Sequence, residues 1–341
     1  MIDFINQLPK TELHLHIEGT LEPETMFRLA KRNGIELPYT TVEQIREDYN
    51  FSDLQSFLDI YYKGAAVLIE EEDFYELTKE YLEKAHQDNV KHVEIFFDPQ
   101  THTQRGIPFK KVVEGIHRAL EEARGNYGLT SRLIMCFLKH LSEEEAIETL
   151  KEALPYKEWI FGVGWDSTEL GNPPQKFKKV CDMALSEGFI TVNHAGEEGP
   201  AQYIWDSIKE LHIRRVDHGV RSIDDELLLE YLRRSRIPLT VCPLSNIKLC
   251  VFSDMKEHVI KKLLNKGLCV TVNSDDPAYF GGYINRNFIE IWKALDLSKE
   301  EIAQLAKNSF EASFLSIEKK QQYYNEIDTQ LEGIESASML G

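Results

Sequence analysis

The sequence predicts an α/β chain closed into a (β/α)8 TIM barrel with extra helices after its first strand, and three observations carry that prediction. Strand-like runs stand at Glu12 to Ile17, Val90 to Phe97, Ser131 to Leu138, Ile160 to Trp165, Phe189 to Asn193, Arg215 to His218, Pro238 to Cys242 and Cys269 to Asn273, mostly separated by helical periodicity. Most of these runs are nearly continuously apolar, as parallel strands covered by helices are. The 341 residues show no low-complexity linker or shift of composition, so 1–341 reads as one barrel domain. A doubly wound open sheet is the structural alternative. It loses support because neither G-x-G-x-x-G after the first strand nor G-x-x-x-x-G-K-[ST] is present.

The first strand lies in Glu12-Leu13-His14-Leu15-His16-Ile17-Glu18. Successive strand side chains alternate between faces, so His14 and His16 share one face and Leu13, Leu15 and Ile17 the other. Pro23 to Arg32 reads as a helix with proline in its first turn and Asn33-Gly34 as its stop. Residues 42–86 carry more helical periodicity than one strand connection needs, which makes the aromatic segment Phe51 to Tyr62 a candidate lid; an amphipathic helix packed on the barrel is the plainer alternative. Between the third and fourth strands, Leu141 to Leu154 opens with Ser142 three residues before Glu145, a capping box. After about Tyr324 the periodicity fades, and a frayed terminus is expected.

Composition narrows the function. A hydrophobic content of 42% is ample for a large core, and 39 Lys and Arg against 57 Asp and Glu leave a net charge of −18. That balance repels nucleic acid and anionic membrane and suits a neutral small-molecule substrate. The N-terminal stretch lacks a basic start followed by an apolar region, and no apolar run reaches the ~18 residues of a membrane helix. Cys136, Cys181, Cys242, Cys250 and Cys269 are odd in number and form no CxxC, so reduced, mostly buried thiols of a cytoplasmic protein are expected.

Chemistry in such a barrel belongs at the C-terminal ends of the strands. In order those ends carry His14 and His16, then Asp98, Lys139-His140, Asp166, Asn193-His194-Ala195-Gly196-Glu197, Asp217-His218-Gly219, Ser245-Asn246 and Asn273-Ser274-Asp275-Asp276. A structural protein has little reason to desolvate so many ionisable groups on one rim. An isolated His-x-His is more often a hydrogen-bonded pair than a site. Joined to His194 and Asp275, however, His14 and His16 give three imidazoles and one carboxylate, a set suited to zinc with a position left for water. The fourth strand ends in Trp165-Asp166-Ser167 without a bridging lysine, so one Zn2+ per chain is expected; Lys139, the nearby alternative, reads as an ordinary ion-paired lysine.

His14-x-His16, His194-Ala-Gly-Glu197, Asp217-His218-Gly219 and Ser274-Asp275-Asp276-Pro277 closely resemble the motifs of the adenosine/adenine deaminase family, metal-dependent hydrolase barrels of the amidohydrolase superfamily, in register from Glu12 to about Phe314. The segments Gly164 to Pro174, Cys242 to Leu249 and Asp276 to Tyr283 are most similar to the branch acting on the free base adenine. The resemblance implies that Glu197 is the catalytic proton donor to ring N1 and that His218 orients the attacking water. It makes Asp275 both a metal ligand and an acceptor from that water, and Asp276 a ligand of the purine near N7. Glu169 stands where the nucleoside branch has glycine, and a carboxylate there would narrow the ribose side and accept a hydrogen bond from a free-base ring N–H. Trp165 and Thr168 depart from that branch, where leucine and serine are usual, and are expected near the substrate. Asn172, Asn193 and Ser245 are candidates for orienting ligands.

The expected reaction is zinc-dependent hydrolytic deamination of adenine to hypoxanthine and ammonia in purine salvage, with adenosine or an N6-substituted adenine as alternative substrates. The expected partners are this small purine and, at most, further copies of the chain in a homo-oligomer. Rival classes are a hydrolase of cyclic amides or esters and a barrel that binds metal and purine without turnover. Glu197 and His218 together disfavour the second, since a binding protein needs neither. His16-Ile17-Glu18 matches the H-x-E of cytidine-type deaminases by chance, without a P-C-x-x-C.

Overall fold

The computed structural model describes residues 1–338, with side chains as far as residue 332. Nine parallel strand segments are present: β1 (Lys10–His16), β2 (Val90–Phe97), β3 (Thr130–Leu138), β4 (Ile160–Asp166), β5 (Ile190–Thr191), β6 (Asn193–Ala195), β7 (Val216–His218), β8 (Leu239–Val241) and β9 (Val270–Val272). They form two ladders, β1 to β5 and β6 to β9, each in sequential order. The ladders close on each other at both seams. β5 and β6 flank Val192, whose N–H donates to the Val163 carbonyl, so they are two halves of the fifth stave. At the other seam Leu15 bridges Asp275, with His16 N–H to the Asp275 carbonyl and Asp275 N–H to the His14 carbonyl, each 3.0 Å. Eight staves therefore form the (β/α)8 barrel that the sequence predicts.

Strand boundaries differ from expectation by a residue or two. The later staves are short, and the fifth extends past Asn193 so that His194 lies within it. Outward residues such as Leu15, Ile95, Met135 and Val163 are buried under the helical layer. Inside, Phe96, Ile134, Cys136 and Val192 pack together as the apolar half of the lumen. Gly164 makes that packing feasible, since a Cβ there would stand 2.9 Å from Cys136 Sγ and 3.1 Å from a Val192 methyl.

The excess of helix after β1 is real: Pro23–Asn33, Val42–Asp48, Leu54–Ala65 and Glu71–Gln87 all precede β2. Pro23 occupies the first turn of its helix and Gly34 the left-handed position that ends it. Ser142 and Glu145 form the expected capping box at the head of Glu143–Ala153. The tail departs from expectation, because residues after Tyr324 continue a helix, Ile317–Ser338. Tyr323 stacks on Phe310 at 4.4 Å, Ile327 is buried and Lys307 pairs with Asp328, so packing on Lys299–Ala312 stabilises a segment that its own pattern did not announce. The last three residues lie outside the described part. Among the described residues no helix is long and apolar enough to cross a membrane, and the five cysteines are free thiols, with only Cys250 exposed.

Candidate active site

Alternation along β1 turns Lys10, Glu12, His14 and His16 into the lumen, and the last two reach its C-terminal rim. His16 Nε2 lies 3.0 Å from His194 Nε2, and Asp275 Oδ1 lies 3.2 Å from His14 Nε2 and 3.4 Å from His16 Nε2. The opposite ring nitrogens are held elsewhere. His14 Nδ1 is 3.0 Å from Thr240 Oγ1, and His194 Nδ1 is 3.1 Å from the Trp165 carbonyl. A carbonyl only accepts, so His194 carries its proton on Nδ1 and presents a bare Nε2 lone pair. His16 Nδ1 lies 3.3 Å from Asp166 Oδ2, ion-pair distance without hydrogen-bond alignment. His14 Nε2 is buried beside Asp275 without a hydrogen bond. His16 Nε2 stands 3.0 Å from the His194 Nε2 lone pair, close to the roughly 3.3 Å that separates ligands of one tetrahedral ion at ~2.05 Å. The donor set fits a divalent metal.

His218 and Glu197 face this cluster. His218 Nε2 is 3.5 Å from Glu197 Oε2 and 3.7 Å from Asp275 Oδ2, while its Nδ1 and Glu197 Oε1 are buried and unpartnered. His218 also lies close enough to His14, His194 and Asp275 to stand as an alternative ligand to His16. His16 Nε2 lies 3.0 Å from His194 Nε2 and 3.4 Å from Asp275 Oδ1. Both His218, at φ 65°, and Asp275, at φ 61°, adopt the left-handed conformation. That costs non-glycine residues about 1 kcal/mol or more each and aims their side chains across the rim. Burial, followed by the Asp275 charge, pushes the Glu197 carboxyl well above its usual range. Burial, followed by His14, pushes His218 well below, so its imidazole is neutral near pH 7.

Asp276 is buried beside Asp275, and a Cβ on Gly19 would collide with its carboxylate, which explains a glycine in the turn Glu18–Thr20 that follows β1. Burial and then the Asp275 charge raise the Asp276 carboxyl well above its usual range. Asp98 and Asp166, placed at strand ends by the sequence but given no role, also line the cavity, with Asp98 Oδ1 and both Asp166 oxygens lacking hydrogen-bond partners. Their signal was their place on the rim. Leu54, Phe57, Leu58, Tyr61 and Tyr62 of the helix Leu54–Ala65 cover the cavity, as expected of the aromatic segment. A Tyr62 Oη–Ser167 Oγ hydrogen bond of 3.0 Å ties that cover to the loop after β4.

Several expectations need correction. Glu169 does not face the substrate cavity: its carboxylate accepts from the backbone N–H groups of Gly196, Glu197, Glu198 and Gly199 at 2.6, 3.1, 3.0 and 2.8 Å. An acceptor so engaged has little left for a purine N–H. Trp165 is not on the substrate side either; its indole packs outward between Phe137 and Phe177. Thr168 is partly exposed, with Oγ1 3.4 Å from Gln55 Oε1 of the covering helix. Lys139, read as ion-paired, instead donates to the His194 carbonyl, and burial lowers its pKa. Asn193 donates to Ser207 Oγ, Asn172 to the Thr168 carbonyl, and Ser245 Oγ is buried without a partner, so these three hold no histidine of the cluster.

Below the rim runs a buried ionic chain, of whose charged members only Asp217 was singled out by its strand-end position. Arg215 donates to Glu94 and, at 3.1 Å, to Asp217 Oδ1, which also accepts from Thr240 Oγ1 at 2.8 Å. Thr240 in turn meets His14 Nδ1, so the chain ends on a histidine of the metal-type cluster and fixes its ring.

An eight-staved parallel barrel with three histidines and an aspartate converging at its C-terminal rim defines an amidohydrolase-type TIM barrel. The sequence profile of the family described as adenosine deaminase matches residues 9–330, and the chain belongs to that family. It is 58% identical over 332 residues to a protein of Hahella chejuensis named adenine deaminase, covering 97% of this chain and 99% of that one. A protein of the same name from Psychrobacter cryohalolentis is 60% identical over 328 residues, covering 96% and 99%. Among solved structures, adenine deaminase from Arthrobacter aurescens superposes with a TM-score of 0.94 at 46% identity, covering 95% of this chain and 99% of that one. An amidohydrolase from Burkholderia ambifaria, solved with bound Zn, shares the fold with a TM-score of 0.89 at 24% identity, covering 98% and 94%.

Proposed function

We propose that this protein catalyses hydrolytic deamination of adenine to hypoxanthine and ammonia, with one zinc ion per chain held by His14, His16, His194 and Asp275. One observation carries the reading: His16, His194 and Asp275 line the same cavity as the facing pair Glu197 and His218. A zinc ion held there would lower the pKa of water towards ~7 and supply the nucleophile. Glu197, whose burial favours the protonated form, donates its proton to ring N1 and makes C6 electrophilic. Neutral His218 lies between Glu197 and Asp275, where its Nε2 orients the attacking water. Asp276 binds the imidazole edge of the base with one proton shared between its carboxyl and N7. The covering helix excludes solvent from the ring.

The preference for adenine draws on relatives named for it. It no longer draws on Glu169, whose oxygens serve backbone amides. Acceptors on Asp98 and Asp166 remain free to meet the base's own N–H groups. In the cell the reading is a cytoplasmic purine-salvage enzyme, one domain over 1–341, whose net charge of −18 disfavours nucleic acid and membrane partners.

The test offers purified protein adenine, adenosine, AMP and N6-substituted adenines and follows ammonia release. Adenine should be the fastest substrate. Turnover of adenosine at the same rate overturns the substrate assignment, and no turnover of any purine overturns the function.

A further inference from the structure

The loop that carries Glu197 is gripped by Glu169. Four consecutive backbone N–H groups, from Gly196 to Gly199, converge on that one carboxylate at 2.6 to 3.1 Å, and the side chain is buried. Successive amides curled round an anion form a nest, and here the anion comes from the chain itself. Two glycines make the nest feasible. Gly196 takes φ 69°, and a Cβ on Gly199 would stand 2.5 Å from Glu169 Oε1. At the other end of the same segment Lys139 donates to the His194 carbonyl, and the Lys139 carbonyl accepts from Lys176 Nζ at 2.6 Å.

We propose that Glu169 is a positioning residue: seated among the amides of 196–199, its carboxylate fixes the backbone from which Glu197 reaches the base. This rests on the reading of Glu197 as proton donor. It replaces a substrate contact at Glu169 with an action through the loop, and it accounts for the two glycines flanking Glu197 and Glu198. In Glu169→Gln the shape is kept, but an NH2 group replaces one acceptor against a set of N–H donors, so the loop loosens without loss of cavity volume.

The expected result for Glu169→Gln is a kcat for adenine lower by roughly 10- to 100-fold, as when outer supports of a site are lost, with KM and bound metal unchanged. Gly199→Ala, which pushes the carboxylate out from the opposite side, should give the same signature. The double variant should be no worse than the poorer single one, because both changes break one contact. Amide hydrogen exchange on the full chain gives a readout free of activity: the amides of 196–199 should be protected in the wild type and exchange at least ~10-fold faster in Glu169→Gln. A raised KM with kcat retained, or adenosine turned over as fast as adenine by the variant, would mean that Glu169 touches substrate and would overturn the inference. Unprotected amides in the wild type would overturn it as well. Failure of the wild type to deaminate any purine refutes the function alone, since the exchange result still decides what Glu169 holds.

Discussion

The lumen holds two polar layers with opposite logic. In the lower layer nearly every ionisable group has hydrogen-bond partners: Glu94 accepts from Arg215, from His92 Nε2 at 3.2 Å and from the Phe314 N–H at 2.6 Å, and Glu12 takes both the N–H and the hydroxyl of Ser274. Among the described residues of that layer, Arg215 Nη2 and Asp217 Oδ2 are left without a hydrogen bond. Burial, the largest influence on Glu94, opposes its ionisation, yet the Arg215 charge together with the His92 and Phe314 hydrogen bonds outweighs it and holds the carboxyl below its ordinary range. On the rim, His14 Nε2, His218 Nδ1, Glu197 Oε1, Asp98 Oδ1, Asp276 Oδ1 and both Asp166 oxygens are buried and make no hydrogen bond among the described residues. Unanswered buried polar groups cost ~1–3 kcal/mol each, so a fold keeps such a layer only for something that binds. The lower layer is built for stability and orientation, the upper for ligands.

The largest expected effect separates two roles within the rim. His194→Ala should lose both metal and activity, whereas Glu197→Gln should keep its metal and lose about 10²- to 10⁴-fold in kcat. Metal content by elemental analysis beside steady-state rates decides this; a fall of metal in Glu197→Gln contradicts the assignment.

In the lower layer the effect should appear as stability. Arg215→Met strands Glu94 and Asp217 without their cation and should cost about 3–5 kcal/mol by urea unfolding. Arg233→Met, which removes an exposed i, i+3 pair with Glu230, should cost under ~1 kcal/mol. Similar losses in both would erase the difference between buried and surface charge on which the comparison stands.

A smaller change sets function against stability at one residue. Burial, then the Asp166 charge, raises the Asp98 carboxyl well above its usual range, so ionising it in the fold is unfavourable. Asp98→Asn should raise KM for adenine roughly 10-fold by removing an acceptor while leaving the midpoint of unfolding unchanged or higher. A destabilised variant with normal KM would move Asp98 from the rim's logic to the floor's.

The sequence made the rim legible because its residues follow strand ends, where order along the chain and place in the barrel coincide. The eight staves, the capping box at Ser142 and the His14, His16, His194 and Asp275 cluster were readable for that reason. Side-chain direction was not. Glu169 and Trp165 sit beside the rim in sequence, but one turns to backbone amides and the other to the helical layer. Pairings such as Glu94 with Arg215, 121 positions apart, leave no local pattern. The last helix was hidden for a related reason: the burial of Ile327 is decided by contact with Lys299–Ala312, not by the composition around it.

The change expected to leave activity untouched comes from the bottom of the lumen, where Lys10 is buried with its Nζ donating to the Asp88 carbonyl at 2.9 Å. Burial lowers its pKa to about 7, against the opposing pull of Asp88. A lysine depressed in the fold contributes stability that is fully present above its unfolded pKa and is lost as pH falls through the folded value. Between pH ~10 and ~7 the unfolded chain therefore binds one more proton, a slope of up to about 1.4 kcal/mol per pH unit from this group. Lys10→Met should flatten stability over that window in urea titrations at pH 7, 8 and 9. The pH dependence of kcat should stay as in the wild type, because Lys10 and the rim stand at opposite ends of β1. A shifted kcat profile would show that the two layers titrate together, and the division between them would fail.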